Sequence, residues 1–140
     1  MYSELLNVPL IIFDPSLTKG QVSETLVSNI DVPPTIMHLF GLEPVKDFAG
    51  HSLLPIEKYP VKGIYGEAKE KRGAHEKEDA KALYYYREDN LKIIYHEEND
   101  YWEVYDLKED PGELKNIVDT SPKTEELKKK LQPRIGRWAS

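Results

Sequence analysis

YWEVYDLKEDPGELKNI, residues 101–117, decides how the second half of this chain folds. Its first residues alternate, so Tyr101, Glu103 and Tyr105 fall on one side of an extended strand and Trp102 and Val104 on the other. Aromatic and β-branched side chains at that spacing fit a pleated, half-buried surface. Asp110-Pro111-Gly112 then reads as a tight turn, with proline setting one φ and glycine predicted to take a positive one. Glu113 is placed at the start of a predicted short helical turn, where negative charge is favourable. Asn116 can close that turn with its own side chain. Every one of these roles is architectural.

Two runs of the same kind precede it. ALYYYRED (82–89) and LKIIYHE (91–97) are aromatic and β-branched, and the turn-rich REDN and EEND separate the three runs. The pattern predicts an antiparallel meander of three strands. Tyr84, Tyr85 and Tyr86 invite a carbohydrate-stacking reading, but consecutive strand residues point to alternate faces, so core packing and edge cover come first. Downstream, Ser121 with Pro122 predicts the start of a helix whose apolar face is Leu127, Leu131, Ile135 and Trp138. Glu125–Lys129 and Glu126–Lys130 are i,i+4 pairs of favourable polarity, and Pro133 is placed to interrupt the helix.

The first half has a different grammar. VPLIIF (8–13) is a continuous apolar run, as in a parallel strand covered on both faces. SNIDVPPTIMHLFGL (28–42) is a punctuated helix: Asp31 as its cap, Pro33 and Pro34 in its first turn, an Ile36, Leu39, Phe40 stripe, and Gly41 to end it. KGIYGEAK (62–69) is a candidate short strand, and AKEKRGAHEKEDAK (68–81) is a highly charged segment read as a loop. The organisation expected is 1–66 as an α/β element, 67–82 as the charged loop, and 83–140 as an antiparallel sheet with a C-terminal helix.

Composition narrows the function classes. The chain has 140 residues, 39% hydrophobic and 31% charged, with net charge −6, which suits a soluble domain with a real core. The signs are mixed and no basic stripe tracks phosphates, so nucleic acid is not an expected partner. The longest apolar run is too short to span a bilayer, and no targeting segment is legible, so no membrane partner is expected and the cytoplasm is the default compartment. There is no cysteine, which excludes disulfides, thiolate metal sites and a cysteine nucleophile.

Three blocks in order resemble the sulfatases of the alkaline phosphatase superfamily. NVPLIIFDPSLTKGQVSETLVSNIDVPPTIMHLFGL is similar to the family's strand, loop and D-x-x-P-T helix; AGHSLLP (49–55) to G-x-S-L-x-P; and VYDLKEDPGELKNI (104–117) to Y-D-L-x-x-D-P-x-E-x-x-N. The resemblance implies a partial alkaline-phosphatase-like α/β sheet element followed by the small antiparallel sheet and helix. It also implies the last quarter to third of a sulfuric ester hydrolase. Complete members use a formylglycine, made from the cysteine or serine of C/S-x-P-x-R, and a divalent cation, usually calcium. Neither group is expected on this chain: Ser52 has Pro55 at +3, Ser121 has Pro122 at +1, and no Asp-Asp pair opens the sequence. No catalytic and no metal-binding residue is therefore assigned.

Asp31 is read as a cap rather than a ligand, and His38 and His51 as structural or surface residues. Arg72 and His75, in the charged loop with Glu67, Lys69 and Lys71, are the candidate substrate contacts. The resulting expectation is the C-terminal portion of a sulfatase-like hydrolase, inactive in isolation and partnered by an N-terminal sulfatase portion. Its alternatives are a stand-alone structural module forming a homo-oligomer, or the tail of a related phosphodiesterase or phosphonate hydrolase.

Overall fold

The computed structural model describes residues 2–15, 20–43, 45–69 and 82–136. The chain divides into two compact units, one of residues 10–64 and one of residues 1–9 with 65–140.

The second of these is built on a four-stranded sheet of β1 (Gly63–Lys69), β2 (Ala82–Glu88), β3 (Leu91–His96) and β4 (Tyr101–Asp106), in the spatial order β1-β2-β3-β4. The predicted meander is β2-β3-β4, antiparallel throughout, and the predicted short strand at 62–69 joins it as β1. The hairpins turn where the sequence places Asp and Asn, with Asp89 and Asp100 in the left-handed region at φ 51 and 50. Register sets two unlike faces: Tyr85, Ile94 and Glu103 align across the sheet, as do Tyr86, Ile93 and Val104 one residue along.

On the second of those faces Ala82, Tyr84, Tyr86, Ile93 and Val104 form the core with Leu127 and Leu131 of α3 (Thr124–Leu131), and Tyr65, Tyr95, Trp102 and Ile135 pack against it. All three tyrosines of the 84–86 run are buried, two on this face and Tyr85 on the other, where its ring lies over Gly66. The helix begins two residues later than Ser121-Pro122 predicted, because those residues close a preceding turn in which Ser121 Oγ accepts the Lys123 N–H at 3.3 Å. It ends at Leu131, and a 3-10 turn, Gln132–Arg134, carries Pro133. Glu126 and Lys130 pair at 3.1 Å, whereas Glu125 takes Lys128 at i+3 instead of Lys129. Trp138 lies outside the described residues.

The opposite face is covered by polar groups and by the N-terminal segment, which includes the one-turn helix α1 (Ser3–Leu6). Lys92, Glu103 and Glu113 are all buried there.

In the unit of residues 10–64 the main element is α2 (Val32–Leu39). Its end is a Schellman motif: Leu42 N–H donates to Met37 C=O at 2.9 Å, Gly41 N–H to His38 C=O at 3.0 Å, and Gly41 takes φ +66, as its position in the sequence predicted. Two expectations fail here for physical reasons. Residues 8–13 form no strand, since no neighbouring strand among the described residues offers them a ladder. Asp31 makes no side-chain cap on α2, because Pro33 and Pro34 occupy the second and third helical positions and have removed the N–H groups a cap would bind.

Candidate functional site

The Asp31 carboxylate instead closes the capping box of the 3-10 turn Asn29–Asp31 before α2, and it is almost fully buried. Oδ2 accepts the Ser28 N–H at 2.8 Å and the Tyr59 hydroxyl at 2.6 Å, and Oδ1 accepts the His51 N–H at 2.9 Å. Thr35 extends the same clip: its hydroxyl donates to Asp31 C=O at 2.6 Å and accepts the Leu53 N–H at 2.9 Å. The D-x-x-P-T block therefore grips the G-x-S-L-x-P block. Gly50 is required at the crossing, since a Cβ there would stand 2.0 Å from the Ile30 carbonyl oxygen. Burial, followed by the hydrogen bond to Asp31, pushes the Tyr59 phenol far above its ordinary pKa, so it stays a donor to that carboxylate.

The third block is a second clip, in the sheet unit. Asp110 accepts the N–H groups of Leu114 and Lys115 at 3.1 and 2.8 Å. Asn116 Oδ1 accepts from Val104 N–H and Val118 N–H, both at 3.0 Å, while its amide donates to the Tyr101 hydroxyl at 2.9 Å and Trp102 C=O at 3.2 Å. This bonds the turn to the β4 edge. The predicted positive φ of Gly112 is absent and no helix follows; the left-handed residue is Glu113, at φ 53. That conformation delivers the Glu113 carboxylate to Lys92 Nζ at 2.6 Å, with Ser3 N–H donating to its other oxygen at 2.5 Å. Burial opposes ionisation of Glu113, but the hydrogen bonds from Lys92 and Ser3 together outweigh it and hold the carboxyl below its ordinary value.

Beside this pair, His96 Nε2 lies 3.2 Å from Glu103 Oε2, and the Tyr2 hydroxyl donates to Glu103 Oε1 at 3.4 Å. Sequence reading missed Lys92 and Glu103. The available signal was their period: each stands on the same strand face as an apolar or aromatic residue two positions away, so each was due for burial and for a partner.

Of the residues weighed from sequence, those the structure describes take separate roles. His38 Nδ1 is 2.8 Å from Ser52 Oγ on an exposed surface, and His51 contributes its backbone to the Asp31 clip while its side chain is exposed. Lys69 and Glu67 pair at 3.4 Å along β1. Lys71, Arg72 and His75 lie outside the described residues. The two groups implied for a complete sulfatase do not fit this chain. A calcium ion needs several free oxygen ligands, whereas both Asp31 oxygens already face N–H or O–H donors, and no group of three or more His, Cys, Asp or Glu gathers among the described residues. A formylglycine needs a cysteine or serine in C/S-x-P-x-R, and that motif does not occur in the sequence.

Comparison with known proteins gives the chain's family. The family model for the C-terminal part of N-sulphoglucosamine sulphohydrolase matches residues 1–139. The chain is 33% identical to N-acetylglucosamine-6-O-sulfatase of Bacteroides thetaiotaomicron, over 94% of this chain and 25% of that protein. It is 30% identical to arylsulfatase K of Xenopus laevis, over 94% of this chain and 26% of that one. Among solved structures, BT4656 in complex with its substrate D-glucosamine-2-N,6-O-disulfate superposes with a TM-score of 0.60 at 29% identity, covering 74% of this chain and 23% of that one. The chain thus spans about a quarter of the length of the curated relatives it matches.

Proposed function

The chain belongs to the N-sulphoglucosamine sulphohydrolase C-terminal family, and from that membership we propose that it is the scaffolding end of a sulfatase whose chemistry is carried by the polypeptide it completes. It corresponds to the C-terminal part of sulfatases, about a quarter of their length. The observation that carries the reading is the use made of its motif residues. Asp31, Thr35, Asp110, Glu113 and Asn116 all spend their polar atoms on joining one part of this chain to another. Carboxylates engaged in this way by N–H and O–H donors hold backbone in place.

In the whole enzyme the reaction is hydrolysis of a sulfate ester, and the substrate class we favour is a sulfated sugar, as the name of the Bacteroides relative and the sugar substrate bound in the BT4656 structure suggest for those proteins. Calcium and formylglycine would sit on the catalytic polypeptide. Arg72 and His75 are proposed to reach the substrate from the segment between β1 and β2, supplying positive donors to an anionic ester. The purified 140-residue chain, assayed with an aryl sulfate and calcium, should give no turnover above buffer. Turnover that a chelator abolishes would overturn the reading.

A second reading, a self-associating structural module, is favoured by one observation: large apolar side chains stand exposed in the unit of residues 10–64. Sedimentation of the chain distinguishes a homo-oligomer from a monomer awaiting a different partner.

A further inference from the structure

The face of the sheet opposite the α3 core buries two carboxylates and gives them unlike partners. Glu113 has Lys92 at 2.6 Å and the Ser3 N–H. Glu103, on β4, has His96 of β3 as its basic neighbour, with Nε2 3.2 Å from Oε2. His96 stands opposite Tyr101 and Ile94 opposite Glu103, so the two are diagonal neighbours on one face, within reach of side chains of this length. Both atoms are buried, and neither has a hydrogen-bond partner among the described residues. A buried carboxylate oxygen left bare is costly, and a cation beside it offsets much of that cost. The imidazole is that cation only when it is protonated. Its side chain is 25% exposed against 9% for Glu103, so it can exchange a proton with solvent while the carboxylate stays withdrawn.

The same two carboxylates tether the N-terminal segment. The Tyr2 hydroxyl donates to Glu103 Oε1 at 3.4 Å, and the Tyr2 ring meets that of Tyr105 edge-on at 6.2 Å. Ser3 N–H donates to Glu113 Oε2, and α1 begins at that residue. Burial, then the Glu103 charge, push the phenols of Tyr2 and Tyr105 above their ordinary value, so both stay neutral around pH 7 and Tyr2 stays a donor. The other charged or titratable groups about this polar patch are Glu4 from the segment, Tyr85 and Arg87 from β2, Lys92 from β3, Tyr101 from β4 and Glu113 from the turn. Imidazole is the side chain whose charge ordinarily changes between about pH 5 and 8.

We propose that His96 and Glu103 form a pH-operated clasp that fastens the N-terminal segment, residues 2–7, to the sheet. The charged imidazole compensates Glu103, and the compensated carboxylate holds the Tyr2 hydroxyl. When the imidazole loses its proton, Glu103 keeps a buried charge with one oxygen bare, and water drawn to that oxygen competes with the seat of Tyr2. The closed segment thus favours the protonated imidazole. The clasp is complete below the imidazole range and is lost as pH rises through it. Glu113, whose carboxyl titrates below its ordinary value, loses its contribution in the opposite direction and at more acid pH, so the two tethers are separable by pH.

The test is hydrogen exchange and NMR titration of the 140-residue chain between about pH 5.5 and about pH 8. The amides to follow are those of Ser3, Leu5 and Asn7, which donate to Glu113, Tyr2 and Ser3. After correction for intrinsic rates they should be about tenfold better protected at the acid end, the effect of one pKa unit of differential interaction. The amides of β2–β4 should be equally protected at both ends. The His96 ring and Ser3 amide resonances should titrate with one midpoint. His96→Gln should hold protection at its alkaline level throughout, and Glu103→Gln should leave no rise on acidification. Tyr2→Phe should keep the His96 titration and uncouple the segment from it. Equal protection at the two ends of the range overturns the proposal. So do separate midpoints for His96 and Ser3 in the parent chain, a reading that needs no variant to fold, and a pH response that survives His96→Gln.

Discussion

The buried Lys92–Glu113 pair is the sharpest energetic feature at the scale of single residues. Removing one partner of a buried pair leaves an uncompensated charge and costs about 3–5 kcal/mol. Glu113→Gln should therefore lower the stability of the sheet unit by that order at neutral pH, and Lys92→Met combined with Glu113→Gln should recover much of it; urea titration of the three proteins measures this. The pH dependence is read from Glu113, whose carboxyl is held, against the effect of burial, below its ordinary value by the hydrogen bonds from Lys92 and Ser3. The folded-state pKa of Glu113 lies below the ordinary 4.5, so its contribution is complete above that value and is lost as pH falls through the lowered one. Stability measured from about pH 6 down to about pH 2 should fall less steeply in Glu113→Gln than in the parent. The Asp31 clip makes an equally local prediction. Gly50→Ala drives a methyl into the Ile30 carbonyl, so the His51 and Leu53 amides should lose their exchange protection while β2–β4 keep theirs.

At the scale of elements, α3 and β1 carry the sheet's cover. Leu131 is buried in the core, and Leu131→Ala should cost about 2–5 kcal/mol, the range for deleting a buried leucine side chain, read as a fall in the urea midpoint. Gly66→Ala tests the β1 edge: a Cβ there would lie 2.0 Å from Tyr85 Cε1, so the Tyr85 ring must move or β1 must part from β2. The exchange of β1 amides should rise in that variant before that of β3. The sequence foretold these elements well where one local rule sufficed. Period-two aromatics gave β2, β3 and β4; Gly41 ended α2; Pro133 ended α3. It erred where two local rules competed: Asp31 looked like a cap, yet the prolines that mark a helix start had removed the donors a cap needs.

The whole molecule joins a unit with a closed apolar core to one with an exposed apolar surface. Unfolding of the isolated chain should accordingly not be two-state. Native-state exchange should show the amides of β2, β3 and β4 protected up to the global stability and those of α2 opening at far lower free energy; uniform protection across both would refute that picture. The family was legible in the sequence because its motifs are backbone-joining devices with fixed local spacing. The candidate substrate contacts lie outside the described residues. Arg72 and His75 were chosen from a charged segment by residue type, and charge alone does not say which groups converge.

What the sequence determined by itself is local: the alternation of 101–105, the helix-ending glycine and the interrupting proline. Only the tertiary structure decided which polar atoms meet. Lys92 finds Glu113 21 residues away, and Asp31 finds His51 and Tyr59 at separations of 20 and 28. A buried carboxylate must find donors, but nothing in local spacing names them; the fold does so when it brings distant backbone N–H groups and side chains within hydrogen-bond reach of it.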